Sequence, residues 1–450
     1  MFSKLRKLFG LTAPAAPSRV REAAANDAAL ADGMQAGVAI DSFLCREAVF
    51  DRAGRLSGRL FTLQGATLAA DEQGIPHPSS DSELIATLHA SPEPWNTALA
   101  FVPLSSPSLF DPKLDVIRSQ NLILLVHLAS EPAENVSALC ARIDTLRRRG
   151  IAIAIFRQPK HPAFSETIRL ADYGAIDVTA SEPGSIRDFS AAFRAGPRDH
   201  EARLFAQRID TLDEHHLCHQ WHFDYFHGAF ASSAPLHDDE SATDPHKLQL
   251  LHILRLLQGN AETAEIVEAM KQDPPLAFRI LRYLNSPLLG LDHKIDSLSQ
   301  ALTILGRQRL TRWLSVLLFS VRAPGFGDWL LVESALTRGR LMEVLGAKVM
   351  PGEPADALFL TGIFSCLDKL LRRPLAQLVD AVPLSAAVRS ALLERSGPYA
   401  SLLNLALAAE ALDFASMEKA AKELNTTTDC ANHALLAATA WASEVSEHWE

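Results

Sequence analysis

The sequence predicts an α/β barrel followed by a separate all-helical domain. Three observations carry this reading. At 450 residues the chain is too long for one ordinary core, so two or three domains are expected. From Ile40 to Phe230 short apolar runs alternate with helical segments, the pattern of parallel β/α units. From His246 onward the apolar residues recur at helical spacing without strand-like interruption.

Residues 1–38 form an alanine-rich leader with Pro14 and Pro17. Its opening, MFSKLRKLFG, interleaves Lys4, Arg6 and Lys7 with Phe2, Leu5, Leu8 and Phe9. That pattern fits either a disordered leader or a short basic amphipathic helix at a membrane surface. The first domain is expected over 40–230. Buried strands are predicted at Ala98–Val102, Asn121–Leu128, Ile151–Phe156 and Ala175–Val178, with helices at Val136–Arg149 and Ser165–Ala171. Continuous apolar strands such as Ile151 to Ile155 suit a sheet covered on both faces. Repeated units over this length predict a compact (β/α) barrel. Residues 231–245, ASSAPLHDDESATDP, are polar and acidic and read as a linker.

The helical domain is expected over 246–445. Leu250, Leu251, Leu254 and Leu257 stripe a helix that stops at Gly259. Ile266, Val267 and Met270 stripe the next. Asp273-Pro274 opens a third, an N-cap residue followed by proline. Asn285-Ser286-Pro287 closes it, because proline pushes its predecessor out of the helical region. A fourth helix runs from Leu298 to Leu305 and breaks at Gly306, and a fifth begins near Arg309.

Composition excludes several classes. No apolar run approaches the ~18 residues that span a bilayer, and the N-terminus lacks the apolar stretch of a secretory signal. Five scattered cysteines without C-x-x-C pairs argue against a disulfide frame and for a reducing cytoplasm. A net charge of −10 disfavours general nucleic-acid binding.

The stretch from Gln272 to Leu314 resembles the core signature of HDOD domains, helical relatives of HD-type phosphohydrolases. Asp273, Pro274, Asn285, Ser286, Gly306 and Trp313 carry the resemblance, with Leu276, Leu281, Ile295, Ser297, Ala301 and Leu305. The preceding domain resembles EAL domains, in the order found in two-part EAL–HDOD signalling proteins. The run Arg46 to Asp51, the strand Gly150 to Phe156, Leu170-Ala171-Asp172 leading to Ile176-Asp177-Val178, and Phe223 to Gly228 carry that resemblance.

Active EAL domains hydrolyse cyclic di-GMP with two divalent cations, which require oxygen ligands at the strand ends. In the matching positions the resemblance places Leu60, Pro103, His127 (or Val126, one register away), Phe156, Arg157 and Ala175, while Asp177 remains. Leu, Pro, Phe and Ala supply no ligand, so the barrel is expected to be degenerate and not an enzyme. In the helical domain the histidine–aspartate doublet of active HD enzymes falls on Ser365-Cys366. No catalytic residue, metal or cofactor is therefore assigned. Both scaffolds without their chemistry imply a non-enzymatic cytoplasmic regulator that docks other signalling proteins. The alternative is a receptor that binds cyclic di-GMP without metal, with Arg157 on a phosphate; an active phosphodiesterase is the third class.

Two further patterns remain. Arg307, Arg309 and Arg312, beside Trp313 and Lys294, offer a basic contact for an acidic partner, as does Arg147-Arg148-Arg149. The segment Glu214 to His222 is rich in histidine, with His215 and His219 on one helical face and Cys218 and His222 on another. A zinc site needs three or four converging ligands, and no second cluster supplies them.

Overall fold

The computed structural model describes residues 40–446 apart from 65–77, 92–94, 96, 118–120, 130–134, 197–200, 202, 235, 237–244, 260, 274–275, 279, 282–296 and 321–323. The leader lies outside the described residues, as do Pro274, Asn285, Ser286, Lys294 and Ile295.

Eight strands close into a barrel in sequence order: β1 (Leu44–Asp51), β2 (Leu56–Leu63), β3 (Leu99–Ser105), β4 (Leu122–His127), β5 (Ala152–Phe156), β6 (Tyr173–Asp177), β7 (Arg203–Gln207) and β8 (Tyr225–His227). Strand β1 runs antiparallel to both β2 and β8, and every other pair is parallel. The reversal comes from a tight hairpin. Gly54 takes φ +75° there, a conformation open to glycine. Asp51 Oδ1 accepts from the amides of Ala53 and Arg55, each at 2.9 Å.

Side-chain alternation sorts the strands into two faces. Val49, Leu60, Phe101, Leu125, Phe156 and Phe205 pack together inside the barrel. Val102, Leu124, Val126, Ile153 and Ile155 point outward and pack with Leu139, Ile143 and Leu146 of the helix Val136–Arg148. That helix is capped by Asn135. Arg147 is spent on Asp172 at 2.9 Å, Arg148 on Asp144 at 2.5 Å and Arg149 on Asp115 at 2.6 Å. The triple-arginine run is thus a set of local ion pairs.

A hairpin leaves β1 without a following helix, so its outer face needs another cover. The helical half supplies it. The long helix Phe326–Val349 sends Phe326 against Phe50, with ring centroids 5.0 Å apart. Its Glu333 is buried and pairs with Arg46 and with Arg59, the latter at 3.3 Å, both on outward positions of β1 and β2. From the last helix, Thr428–Ser446, Asn432 accepts from the Leu44 amide at 2.8 Å and donates to the Ser42 carbonyl at 3.0 Å. Apolar residues from both halves belong to one continuous cluster. Burial alone would raise the Glu333 carboxyl, but Arg46 and Arg59 hold it below the ordinary carboxylate range.

The helical half begins with Pro245–Gln258 and Thr263–Lys271. Asp273 is buried, accepts from the Leu276 amide at 3.0 Å and contacts His246 at 2.5 Å, so it caps the next helix as its position implies. The segment Leu298–Leu317 is two helices meeting at a kink at Gly306, whose φ of +74° is not helical. An added Cβ at Gly306 would meet nothing within 4 Å. The glycine is therefore there for its backbone freedom and not for close packing. The helices Ala355–Phe364, Leu367–Leu371, Leu375–Asp380, Ala386–Leu393, Ala400–Ala411 and Phe414–Glu423 complete the half before Thr428–Ser446.

Candidate functional site: the barrel mouth and the facing helical centre

In a parallel barrel, chemistry belongs at the C-terminal strand ends. Here inward-facing positions at that end are occupied by Leu60, Pro103, His127, Phe156 and Ala175. The register question at β4 has a clear answer. Val126 joins the outer cluster, so His127 points to the mouth, level with Ser105 of β3. Leu60 is 2% exposed and Phe156 3%, and both belong to the interior cluster with Ala175. The His127 ring stacks on Phe156 with centroids 3.8 Å apart. Beside them inside the barrel Phe101 stacks on Phe205 at 4.9 Å. The mouth is therefore floored by carbon.

The carboxylate at the end of β6, Asp177, is already engaged. It pairs with Arg208 at 2.7 Å and accepts from Thr179 and from the Ala180 amide. Arg157, the residue after Phe156, is half-buried, and its backbone amide continues the ladder to Ala175. Hard cations need several oxygen ligands converging at once. Leu60, Pro103, Phe156 and Ala175 offer none from their side chains, and a paired Asp177 does not make a site alone. A two-cation centre does not fit these residues. Among the described residues no group of three or more His, Cys, Asp or Glu side chains converges to hold a metal ion.

The titratable pair that does stand at the mouth was not legible in the sequence. His227 Nε2 of β8 lies 3.3 Å from Glu47 Oε2 of β1. The contact with His227 holds the Glu47 carboxyl below the ordinary range, against the opposing effect of burial. The adjacent Gly228 has φ +148°, and a Cβ there would lie 2.2 Å from the Ile209 carbonyl oxygen. Only glycine fits, so this turn fixes His227 at the rim.

The helical centre is built differently. Ser365 and Cys366, where the sequence resemblance places the HD doublet, are both buried. Arg338 of the long helix donates to Ser365 Oγ and to Glu410 Oε2, both at 2.6 Å. Ser365 Oγ in turn lies 2.5 Å from the Gly362 carbonyl. A permanent guanidinium thus occupies the neighbourhood of the doublet. It supplies from the protein itself the positive charge that a metal would bring. Burial pushes the Cys366 thiol up, which keeps it protonated and a poor ligand.

Residues 248–379 match the HDOD domain family. The helical half carries an HDOD domain. Over 316 residues, 70% of this chain and 72% of the relative, the sequence is 25% identical to the cyclic di-GMP phosphodiesterase CdgJ of Vibrio cholerae. It is 31% identical over 206 residues to the protein YuxH of Bacillus subtilis, covering 45% of this chain and 50% of that one. Similar solved structures include the Bacillus subtilis YkuI protein, with an EAL domain, in complex with cyclic di-GMP and calcium. It shares 15% identity, covers 52% of this chain and 71% of that one, and has a TM-score of 0.34. Klebsiella pneumoniae BlrP1 in a calcium and cyclic di-GMP complex shares 14% identity over 51% of this chain and 69% of that one, with a TM-score of 0.33.

A cleft of about 540 Å³ separates the barrel rim from the HDOD domain and borders both centres. Arg46, Glu47 and His227 line it from the barrel, and Glu333, Lys369 and Glu410 from the helical half. Most of its charges are already paired: Arg46 with Glu333, Glu47 with His227, Glu410 with Arg338.

Three readings of the sequence change. Arg312 is not an exposed basic contact. It is buried, forms two 2.7 Å hydrogen bonds to Glu343, and lies over the Phe359 ring at 3.9 Å. Arg307 donates to the carbonyls of Gly259 and Ala261, tying the kinked segment to the turn after Pro245–Gln258. Arg309 alone of the three is exposed. Trp313 is a core residue, buried as its place in the signature implies. In the histidine-rich segment, His215 and His219 do share a face, with ring centroids 6.1 Å apart. Yet His215, 6% exposed, is caged by Phe226, Phe230 and Phe326 at 4.6–5.0 Å, and burial lowers its pKa to about 4. It is an aromatic-like core residue at the junction between barrel and HDOD domain. His219 faces the Arg52 carbonyl, and Cys218 is buried.

No helix among the described residues is long and apolar enough to cross a membrane.

Proposed function

We propose that this chain is a non-enzymatic signal-transduction protein, in which a degenerate EAL-type barrel and an HDOD domain together form a docking platform for other proteins. One observation carries the reading. Leu60, Pro103, Phe156 and Ala175 stand at the C-terminal strand ends where cation ligands would be needed, and three of them, Leu60, Phe156 and Ala175, with His127 stacked on Phe156, form an apolar floor. Similarity to a protein named as a cyclic di-GMP phosphodiesterase supports a role near that signalling chemistry. The residues at the mouth argue that the chemistry itself has been lost. The internal Arg338–Glu410 pair argues the same for the HDOD centre.

Binding of cyclic di-GMP without turnover is the second reading, supported by the half-buried Arg157 at the mouth. Calorimetry on the full chain separates the two. A docking platform gives no heat with micromolar cyclic di-GMP, with or without magnesium. Metal-independent heat that is lost in Arg157→Ala supports the receptor reading. Heat that requires magnesium contradicts both. The full chain is also the proper bait for partner capture, because the HDOD half alone would expose Phe326 and strand Glu333 without its arginines.

A further inference from the structure

The cleft between the barrel and the helical half has one edge whose charge is not balanced. On its walls Arg46 pairs with Glu333, Glu47 with His227, and Glu410 with Arg338. Lys369 also lines the cleft, is exposed, and makes no ion pair among the described residues. Its setting follows from the local sequence. In the short helix Leu367–Leu371 the buried Leu367 and Leu371 are four residues apart and share a face, which leaves Lys369 to water. Arg372 caps that helix with a left-handed φ of +50°, and Arg373 follows; both are exposed. Arg372 donates to the carbonyl of Leu236, itself a cleft residue, at 3.3 Å. Arg373, like Lys369, makes no ion pair among the described residues.

Arg395 adds to the same field. Burial and the nearby Arg338 hold its guanidinium below the ordinary arginine range, against the pull of Asp368. Lys369, Arg372, Arg373 and Arg395 face only Asp368 and Glu394 as acidic neighbours in sequence, so the strip stays positive in a chain of net charge −10. Apolar surface lies beside it. Leu236, Leu330 and Leu412 are half-buried on the cleft walls. The cleft volume of about 540 Å³ is within the ~300–1,000 Å³ of ligand pockets. Positive charge next to a leucine-lined cleft matches a ligand that is both acidic and apolar. A nucleic acid uses the charge and not the leucines.

We propose that this strip and the cleft beside it dock an acidic segment of a partner protein, with aliphatic side chains in the cleft and carboxylates on Lys369 and Arg373. This rests on the docking-platform reading and adds to it the place and the charge of the partner. The Glu47 carboxylate on the barrel wall keeps the acidic groups of the segment on the helical side.

Fluorescence anisotropy on the full chain tests it, with short labelled peptides of the repeats Leu-Glu-Glu, Leu-Gln-Gln and Leu-Lys-Lys. The glutamate peptide is expected to bind at least about tenfold tighter than the other two at low salt, with an advantage that shrinks as salt rises. The double variant Lys369→Glu, Arg373→Glu weakens it about tenfold or more. Arg187→Glu, at an exposed arginine of the barrel helix Pro183–Ala195, leaves it unchanged. Circular dichroism checks that each variant is folded. If the double variant fails to fold, Arg373→Gln alone carries the test, with an expected loss of about threefold. The proposal is overturned by absence of glutamate-peptide binding at millimolar concentration, by equal binding of the glutamate and glutamine peptides, or by unchanged affinity in the folded variants. Tighter binding of a single-stranded oligonucleotide than of the glutamate peptide overturns it too. Failure of the docking-platform reading shows separately, as hydrolysis of cyclic di-GMP by the full chain.

Discussion

The barrel mouth and the HDOD centre stand on opposite walls of one cleft, and they fill their interiors in opposite ways. The barrel closes its strand ends with carbon, through Leu60, Phe156, Ala175 and the stacked His127. The HDOD centre keeps polar groups and supplies its own cation, Arg338, held by Ser365 and Glu410. The difference teaches that the centre of a domain can be filled by apolar packing or by an internal ion pair. The two have different weaknesses. An apolar floor fails when volume is removed. A buried guanidinium fails when its charge is left alone or its partners titrate.

The largest effect is expected where the halves are joined. Glu333→Gln keeps shape but leaves Arg46 and Arg59 buried without a counter-charge, a loss of about 3–5 kcal/mol. Chemical denaturation should show both halves losing stability together. Separate transitions with an undisturbed barrel would mean that the two regions do not depend on each other. Next comes Phe156→Ala, at about 3 kcal/mol, read from the same denaturation curve; a smaller loss would mean that the floor collapses easily around the gap. Arg338→Met should cost about 2 kcal/mol, because it strands Glu410, whose partial exposure softens the penalty. A neutral or stabilising result there would show that the internal cation is dispensable and would remove the contrast.

The smallest effect concerns acid. The folded pKa values of Glu333 and Glu47 lie below the usual 4.5. Their ionised forms therefore contribute stability above that value, and the contribution fades as pH falls through the lower folded values. Glu47 is more exposed than Glu333, so Glu47→Gln should flatten the acid limb of the stability curve only slightly, whereas Glu333→Gln should flatten it clearly. Identical acid limbs in wild type and Glu333→Gln would contradict the assignment.

Much of this was legible because it is local. The continuous apolar run Ile151 to Ile155 marks a strand covered on both faces, and the Asp273 cap and Gly306 break follow from residue chemistry at single positions. What escaped the sequence is long-range. Glu47 meets His227 only when the barrel closes. Arg338 meets Glu410 across 72 residues. Arg312 looked like a surface arginine because a helix is expected to leave its charges in water. The second half of Leu298–Leu317 is buried on nearly every side, and Glu343 and Phe359 make that environment possible. The burial of His215 escaped for a related reason: its nearest neighbours include three phenylalanines, one of them from the helical half.

A carbon-floored mouth offers too few oxygen ligands for a two-cation centre. The most direct test incubates the full chain with cyclic di-GMP and with pGpG, in magnesium and in manganese, and follows product by chromatography. No turnover above the protein-free control is expected. Metal-dependent hydrolysis that disappears in His127→Ala or Glu47→Gln would contradict it.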